Sequence, residues 1–294
     1  MKAPPPRVPD RVVLSRFGID RRDALGEGGE ATVYALDADR VLRLPRADVP
    51  AAALDARRRL IDRIRAAAPF ALPEVLEHVD VDGRTVVIER RLPGRDALQV
   101  LDEQGTDREA LVRSHLDAAA AIAELPCPTH AFGEIWGPNS IEDERFEAWA
   151  MTRLAASLEV GGDRFADVDA TSTTRDLVAA LPQPEPPAPV LVHLDAYLGN
   201  MLADGHRITA VLDFGPMAIG GPAHLDPLAA IAYLAPEITP TATDADRAVA
   251  REWAAERGLL DALAPTERWL AAYWTFAADD LELQRWCDRI LGAA

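Results

Sequence analysis

The most informative stretch of this sequence is His193-Leu194-Asp195-Ala196-Tyr197-Leu198-Gly199-Asn200, and Asp213-Phe214-Gly215 follows shortly after it. The apolar residues 190–192 that precede it predict a strand. Residues 201–212 between the two segments predict a small hairpin. Because one loop carries the aspartate and the asparagine, and the hairpin leads to the second aspartate, we expect these side chains to reach one cleft.

The residue types in this pattern are those that phosphoryl transfer requires. The order H-x-D-x-x-x-x-N, a hairpin and then D-F-G is the catalytic signature of kinase-like phosphotransferases. Mg²⁺ that bridges phosphates prefers oxygen ligands, which Asn200 and Asp213 can supply. Asp195 is a separate carboxylate that can accept the proton of an acceptor hydroxyl. Each half alone would fit a polar loop or a strand end, but both together in this order indicate catalysis.

The segment before residue 95 is rich in predicted strands and is expected to bind a nucleotide. Gly28 and Gly29 lie in a glycine-rich connection that resembles a phosphate-binding loop, although an ordinary hairpin turn fits the same residues. Lys2 is the only lysine of the chain, so a phosphate-binding cation here has to be an arginine. Arg43 is the candidate, because guanidinium binds phosphate in a bidentate manner. The alternative is a solvent-exposed arginine on an edge strand.

Two further nucleotide contacts are expected at the end of this segment, where Glu89 and Arg91 would offer backbone groups to a purine. Kinases pair their phosphate-binding cation with an acid on the following helix. A helix is predicted over residues 51–68, and the corresponding position falls near Arg57, so the acidic partner stays open. The nearby acids are Asp55 and Asp62.

Helical spacing dominates after residue 95. The predicted helices span 107–125, 141–158, 224–234, 244–258, 265–277 and 279–291. Residues 12–14 and Ile19 are interpreted as short strand-forming pieces. The sequence therefore predicts an α+β, bilobal fold of protein-kinase type, with a strand-rich nucleotide-binding lobe over 1–95 and a helical lobe over 96–294 that carries the catalytic loop and the acceptor site.

These residues resemble the aminoglycoside phosphotransferase family of small-molecule antibiotic kinases. The resemblance spans about residues 24–230. The motifs that carry it are residues 41–46, Leu92-Pro93-Gly94, residues 191–202, residues 211–215, Gly220-Gly221-Pro222 and Asp226-Pro227-Leu228. The resemblance implies Asp195 as the catalytic base, Asn200 and Asp213 as Mg²⁺ ligands, Arg43 as a phosphate contact, and Glu89 and Arg91 as hinge contacts to ATP or GTP.

Two departures from protein kinases bear on the substrate. In protein kinases, the arginine of the H-R-D motif binds a phosphorylated residue of the activation loop. Leu194 stands at that position here, so regulation by phosphorylation is not expected. Ala235-Pro236-Glu237 imitates the end of an activation loop, but a predicted helix precedes it. A protein substrate is therefore not expected.

The charge of the chain is acidic and uneven. The 294 residues carry a net charge of −17, divided into +3 for residues 1–95 and −20 for residues 96–294. This acidity argues against nucleic-acid or anionic-membrane binding. No apolar run reaches the ~20 residues of a membrane helix, the N-terminus is no signal peptide, and two cysteines make no disulfide framework. A cytoplasmic protein is expected.

An acidic lobe would attract a cationic acceptor. Two acidic clusters are candidates for binding it, although each could equally be a solvated helix N-terminus. The candidate side chains are Glu142, Glu147, Asp279, Asp280 and Glu282. The leading hypothesis is phosphorylation of a hydroxyl of an aminoglycoside or a basic peptide antibiotic. The alternatives are a kinase of a macrolide or of a small metabolite (choline, an amino sugar, a hydroxy amino acid), and a nucleotide-binding pseudokinase.

Overall fold

The computed structural model describes residues 8–28, 31–46, 51–135, 140–162, 170–184, 187–215 and 217–292. The chain divides into two compact units. The first consists of Met1–Ala66 with Ala71–Pro93, and the second of Ala67–Phe70 with Gly94–Ala294. No described helix is both long and apolar enough to cross a membrane.

The first unit is built on an antiparallel sheet of five strands. They are β1 (Ala24–Glu27), β2 (Ala31–Ala35), β3 (Arg40–Pro45), β4 (Val75–Val81) and β5 (Arg84–Arg90), in the spatial order β1-β2-β3-β5-β4. The turn between β4 and β5 places Asp82 at φ 52° and Gly83 at φ 90°. A tight hairpin needs such positive φ angles, which glycine and aspartate tolerate.

Two helices belong to the same unit: α1 (Asp10–Phe17) and α2 (Ala51–Ile64). The helix α1 corrects the prediction of short strands at residues 12–14. It begins after Pro9 and ends at Gly18, whose φ of 67° is the left-handed conformation that commonly closes a helix. Its residues 13 and 14 are buried in one cluster with apolar residues of β3 and β5. This packing outweighs the strand preference of the valines.

The second unit is mainly helical. Its helices are α3 (Ala97–Asp102), α4 (Arg108–Ala121), α5 (Phe146–Gly161), α6 (Ala170–Ala179), α7 (Leu225–Ala232), α8 (Asp244–Glu256), α9 (Leu263–Tyr273) and α10 (Leu281–Leu291). The helix α6 was not predicted. Two small sheets complete the unit. Their strands are β6 (Arg95–Asp96), β7 (Phe132–Glu134), β8 (Glu142–Asp143), β9 (Val190–Val192), β10 (Met201–Asp204), β11 (Arg207–Val211) and β12 (Ile219–Gly221).

The predicted hairpin over 201–212 is present. Strands β10 and β11 pair antiparallel, with Met201 opposite Val211 and Asp204 opposite Arg207. Strand β9 pairs with β12 in a separate four-stranded sheet of order β8-β7-β12-β9. Helices α5, α7, α9 and α10 enclose a large apolar core that includes the completely buried Trp149, Trp269 and Trp286. This core supports the loop between β9 and β10.

Candidate active site

The loop 193–200 connects β9 to β10 and holds the predicted catalytic base Asp195 and one of the two predicted metal ligands, Asn200. The side-chain amide of Asn200 donates to the Asp195 carboxylate at 2.8 Å and to the Asp195 backbone carbonyl at 2.9 Å. The N–H of Asn200 also donates to the Tyr197 carbonyl at 3.0 Å, which closes the loop into a short 3-10 turn. The spacing of five residues therefore allows the Asn200 amide to bond both the carboxylate and the backbone carbonyl of Asp195.

Asp213 is joined to this loop through its neighbour Leu212. The Leu212 N–H donates to the Asn200 carbonyl at 2.8 Å, and the Leu212 carbonyl accepts from Nε2 of His193 at 2.7 Å. Nδ1 of His193 accepts from the Asp195 N–H at 3.3 Å, which leaves Nε2 as the donor to the Leu212 carbonyl. Asp213 itself has a φ of 55°. The structure thus brings the asparagine and both aspartates to the open end of one hairpin.

Asp226 holds the first two residues of the loop through hydrogen bonds to their backbone. It lies in the first turn of α7, is only 1% exposed, and accepts from two consecutive N–H groups, of His193 at 2.8 Å and of Leu194 at 2.7 Å. Burial raises the pKa of Asp226 to about 7, although the two N–H donors act in the opposite direction. In the sequence, Asp226 belongs to the motif Asp226-Pro227-Leu228, which by itself indicates no role for this carboxylate.

Three consecutive carbonyls of the loop also accept hydrogen bonds from side chains. The Leu194 carbonyl accepts from the Tyr233 hydroxyl at 2.8 Å, the Asp195 carbonyl from Asn200, and the Ala196 carbonyl from Nε2 of His115 at 2.9 Å. His115 is fully buried on α4, and burial lowers its pKa to about 4, so its ring is neutral. Sequence reasoning missed Tyr233 and His115, because their partners are backbone atoms distant in the chain.

The side chains at the hairpin end fit a magnesium ion chemically. Because Asn200 uses its amide nitrogen toward Asp195, its side-chain oxygen points away from that hydrogen bond and is suited to a hard cation. Asp213 adds a carboxylate. Mg²⁺ in phosphoryl-transfer sites typically takes one or two such protein ligands together with phosphate oxygens. Among the described residues, no group of three or more histidine, cysteine, aspartate or glutamate side chains could hold a metal by itself.

Tyr197 forms part of the same acidic surroundings. Its burial, with the charges of nearby carboxylates, raises its pKa well above the ordinary value. The contributing carboxylates are Asp195, Asp96, Asp213 and Asp280. Gly199 permits this ring position, since a Cβ there would lie 2.5 Å from the Tyr197 ring. The loop therefore carries a protonated phenol amid negative charge, which the sequence pattern alone did not indicate.

The predicted acceptor-binding acids differ in their positions. Glu142 lies on strand β8 and not on a helix, which corrects the predicted helix over 141–158. Glu147 lies in the first turn of α5 and accepts from Gln183 at 3.0 Å. The helix α10 begins at Leu281, so Asp279 precedes it, and the prediction that Asp279 and Glu282 share a helix face is wrong.

Asp280 is the N-cap of α10. Its carboxylate accepts from the Leu283 N–H at 2.9 Å, and capping residues end a helix in this way because the first N–H groups lack partners inside it. Glu282, one turn further, is exposed and lies 3.9 Å from Arg285. The charge of Asp280 acts on Tyr197 of the catalytic loop.

The first unit holds the candidate nucleotide residues. Gly28 lies in the β1–β2 connection, where its N–H donates to the Ala31 carbonyl at 2.9 Å. Gly29 is outside the described residues. Arg43 lies in the middle of β3, opposite Val33 on one side and Val87 on the other, and is 8% exposed. The arginine is therefore buried in a central strand and not exposed on an edge strand.

The hinge candidates are placed at the end of β5. Glu89 is 6% exposed and pairs with Val41 of β3, so it lies on the same sheet face as Arg43, two residues away. The N–H of Arg91 donates to the Asp39 carbonyl at 2.8 Å. As it stands, this N–H is occupied within the unit, and a purine would have to displace that contact to use it.

The two acids suggested for pairing with Arg43 both lie on α2. Asp62 bonds Arg65 at 3.0 Å and lies 3.6 Å from Arg58, both on or beside α2. Asp55 is exposed on the same helix. The acidic partner of Arg43 therefore stays open.

Comparison with known proteins gives one family match. The model of the phosphotransferase enzyme family matches residues 23–265 of this chain. A comparison with curated protein sequences finds no significant match.

Solved structures with the same fold cover nearly the whole chain. The aminoglycoside phosphotransferase APH(4)-Ia is 21% identical with a TM-score of 0.62, covering 97% of this chain and 98% of that one. A thermostable N203A variant of it, in ternary complex with AMP-PNP and hygromycin B, is 20% identical with a TM-score of 0.62 and the same coverage. The GDP and kanamycin complex of APH(2")-IIia is 14% identical, with a TM-score of 0.61 and coverage of 96% and 95%. At these identities the likeness establishes the α+β kinase-like fold.

Proposed function

The chain belongs to the phosphotransferase enzyme family, and we propose that it transfers the γ-phosphate of ATP or GTP to a hydroxyl of a small cationic antibiotic, of aminoglycoside or basic peptide type, and so gives resistance. The family match confirms the resemblance found in the sequence and identifies a small-molecule phosphotransferase. The observation that best supports the specific reaction is the Asp195–Asn200 pair at the hairpin end beside Asp213.

The proposal gives Asp195 and Asp213 one role each and Asn200 two roles. Asp195 accepts the proton of the acceptor hydroxyl and aligns its oxygen with the phosphorus. Asn200 and Asp213 hold Mg²⁺, which when bound offsets the negative charge of the phosphates. The amide of Asn200 restricts rotation of the Asp195 carboxylate, so that the base keeps one orientation toward the acceptor.

The nucleotide is proposed to bind the first unit. Arg43 would contact phosphate, Gly28 and Gly29 would cover it, and the backbone of Glu89 and Arg91 would meet the base. The near-neutral charge of residues 1–95 agrees with an anionic ligand there. The similar structures that contain AMP-PNP and GDP support nucleotide binding as a property of the fold.

The acceptor is proposed to be a polycation held by carboxylates of the second unit. Residues 96–294 carry a net charge of −20, and Asp280 adds its charge to the surroundings of the catalytic loop. Glu142, Glu147, Asp279 and Glu282 remain candidates for the same role. Similar structures contain hygromycin B and kanamycin, which supports this class of acceptor.

An acceptor panel tests the proposal. The purified protein is incubated with Mg-ATP or Mg-GTP and with aminoglycosides, basic peptides, macrolides, choline, amino sugars and hydroxy amino acids, and phosphate esters are detected by mass spectrometry. We expect esters of cationic antibiotics, and protection of a sensitive bacterium that is lost in Asp213→Ala. Esters of a macrolide or metabolite alone would favour the alternative kinase. The absence of turnover and of nucleotide hydrolysis would favour the pseudokinase.

A further inference from the structure

The residue that precedes the proposed base has a backbone conformation that side chains must maintain. Leu194 has a φ of 67°, which is costly for a branched residue with a Cβ and persists only where the surroundings enforce it. Both polar backbone groups of Leu194 are held from outside the loop. Asp226 accepts from its N–H, and the Tyr233 hydroxyl donates to its carbonyl at 2.8 Å.

The Tyr233 hydroxyl lies between two buried partners, the Trp274 indole and the Leu194 carbonyl. Tyr233 lies at the C-terminal end of α7 and is 3% exposed. The indole N–H of Trp274 donates to the Tyr233 oxygen at 2.7 Å. Because that oxygen accepts from the indole, its own proton is directed to the Leu194 carbonyl. Burial raises the pKa of Tyr233 well above its ordinary value, so the hydroxyl keeps this proton.

The chain of hydrogen bonds extends to the first turns of α10. Trp274 lies in the turn after α9, and the side-chain amide of Gln284 donates to the carbonyls of Trp274 and Ala277 at 3.1 Å each. Gln284 belongs to the helix that Asp280 caps. The segment 274–284, which carries acids proposed to bind the acceptor, is therefore connected through buried side chains to the residue beside the base.

We propose that Tyr233 is a positioning residue for the reaction, and that the Trp274–Tyr233–Leu194 hydrogen bonds fix Asp195 relative to the acceptor-side segment 274–284. The proposal rests on the function proposed above, in which Asp195 is the base. Removing the hydroxyl leaves a buried carbonyl and a buried indole N–H without partners and frees Leu194 to leave its unfavourable conformation. The carboxylate that follows would then sample orientations in which it cannot accept the acceptor proton.

The chain offers a matched control. Tyr273 is also a buried tyrosine of the same core, but its hydroxyl interacts with Arg153 and makes no hydrogen bond to the described loop 193–200. Tyr233→Phe and Tyr273→Phe remove the same atom from neighbouring sites, and only the first removes a contact with the loop. A general effect of losing a buried hydroxyl would appear in both variants.

The experiment combines amide hydrogen exchange with steady-state kinetics. For Tyr233→Phe we expect exchange of the amides of 193–196 to rise at least about tenfold, and kcat to fall about tenfold with KM for the nucleotide within about twofold. Tyr273→Phe should match the wild type in both. Trp274→Phe should give an intermediate effect, and wild-type behaviour of that variant would overturn the link to the segment 274–284.

Combination with a variant of the base separates positioning from a general defect. In an Asp195→Asn background, Tyr233→Phe should cause no further loss of the residual rate, because both changes act through the same carboxylate. Unchanged exchange in Tyr233→Phe, or losses that multiply in the double variant, would overturn the proposal. If the wild type phosphorylates no acceptor, the proposed function fails, while the exchange measurement still decides whether Tyr233 holds the loop.

Discussion

Asn200 donates its side-chain amide to both the carboxylate and the backbone carbonyl of Asp195, at 2.8 and 2.9 Å. The same side chain can therefore orient the proposed base with its nitrogen and bind Mg²⁺ with its oxygen. Two substitutions separate these roles, because alanine removes both atoms and aspartate keeps an oxygen ligand.

Asn200→Ala should raise the Mg²⁺ concentration needed for half-maximal rate at least about tenfold. Asn200→Asp should keep the Mg²⁺ requirement near that of the wild type, but it places a second carboxylate beside Asp195. Since like charges oppose ionisation, the acidic limb of the kcat/KM profile should move about one pH unit upward or more. Titrations of rate against Mg²⁺ and pH check both, and identical behaviour of the two variants would contradict the assignment.

Asp226→Asn should lower both stability and turnover. An amide offers one acceptor oxygen, so one of the two N–H groups of residues 193 and 194 loses its partner inside the protein, at a cost of about 1–3 kcal/mol. Asp246→Asn is the control. Asp246 is a 2% exposed carboxylate that bonds Arg108 and completes the capping box of α8 with Thr243, and its described hydrogen bonds do not involve the loop. Urea unfolding should show losses in both variants, whereas kcat should fall only in Asp226→Asn, and equal kcat losses would contradict the role of Asp226.

Much of the site could be predicted from sequence because its parts are close in the chain. Asp195 and Asn200 share one loop, and the hairpin 201–212 that brings Asp213 to them is a local structure with clear turn residues. The contacts that hold the loop in place come from α4 and from α7 with its end residue Tyr233, which Trp274 in the turn after α9 contacts in turn. A hydrogen bond between the Tyr233 hydroxyl and a backbone carbonyl does not depend on the residue type of its partner. Such contacts therefore cannot be predicted from the residue pattern and are seen only in the folded structure.

Two predicted elements differ from the structure for another reason. The apolar run at residues 12–14 predicted a strand, yet tertiary packing against the sheet of the first unit makes it part of α1. The spacing predicted a helix from residue 141 onward, yet pairing with β7 makes Glu142 and Asp143 a strand and α5 begins at Phe146. Such short segments have weak local preferences, and their long-range partners decide their conformation.

His115 should make stability depend on pH. Its pKa in the folded protein is about 4, below its ordinary 6.5, so the unfolded chain binds the proton more readily. The contribution of neutral His115 to the unfolding free energy is complete above pH 6.5 and decreases as pH falls toward 4. At pH 5 the loss amounts to about 2 kcal/mol. His115→Gln keeps a donor for the Ala196 carbonyl but does not titrate. Its unfolding free energy should fall less than that of the wild type between pH 7 and 5, whereas the exposed His206→Gln should follow the wild type.

The acidic second unit should make acceptor binding sensitive to salt. If the acceptor is a polycation, its KM should rise several-fold between low and high ionic strength, because salt screens exposed charges. Asp280→Asn preserves the helix cap, since asparagine caps as well as aspartate, and should raise the acceptor KM and flatten this salt dependence. Asp244→Asn, a fully exposed carboxylate on α8, is the control and should change neither. A KM that does not respond to salt would contradict a cationic acceptor.

The central claim is that Asp195 accepts the proton of an acceptor hydroxyl during phosphoryl transfer. The most direct test measures the phosphate ester formed from Mg-ATP or Mg-GTP and an aminoglycoside by the wild type and by Asp195→Asn, with nucleotide affinity measured in parallel. We predict ester formation by the wild type, a loss of at least about a thousandfold in the variant, and nucleotide affinity within about threefold. A variant that forms the ester at the wild-type rate would contradict the account.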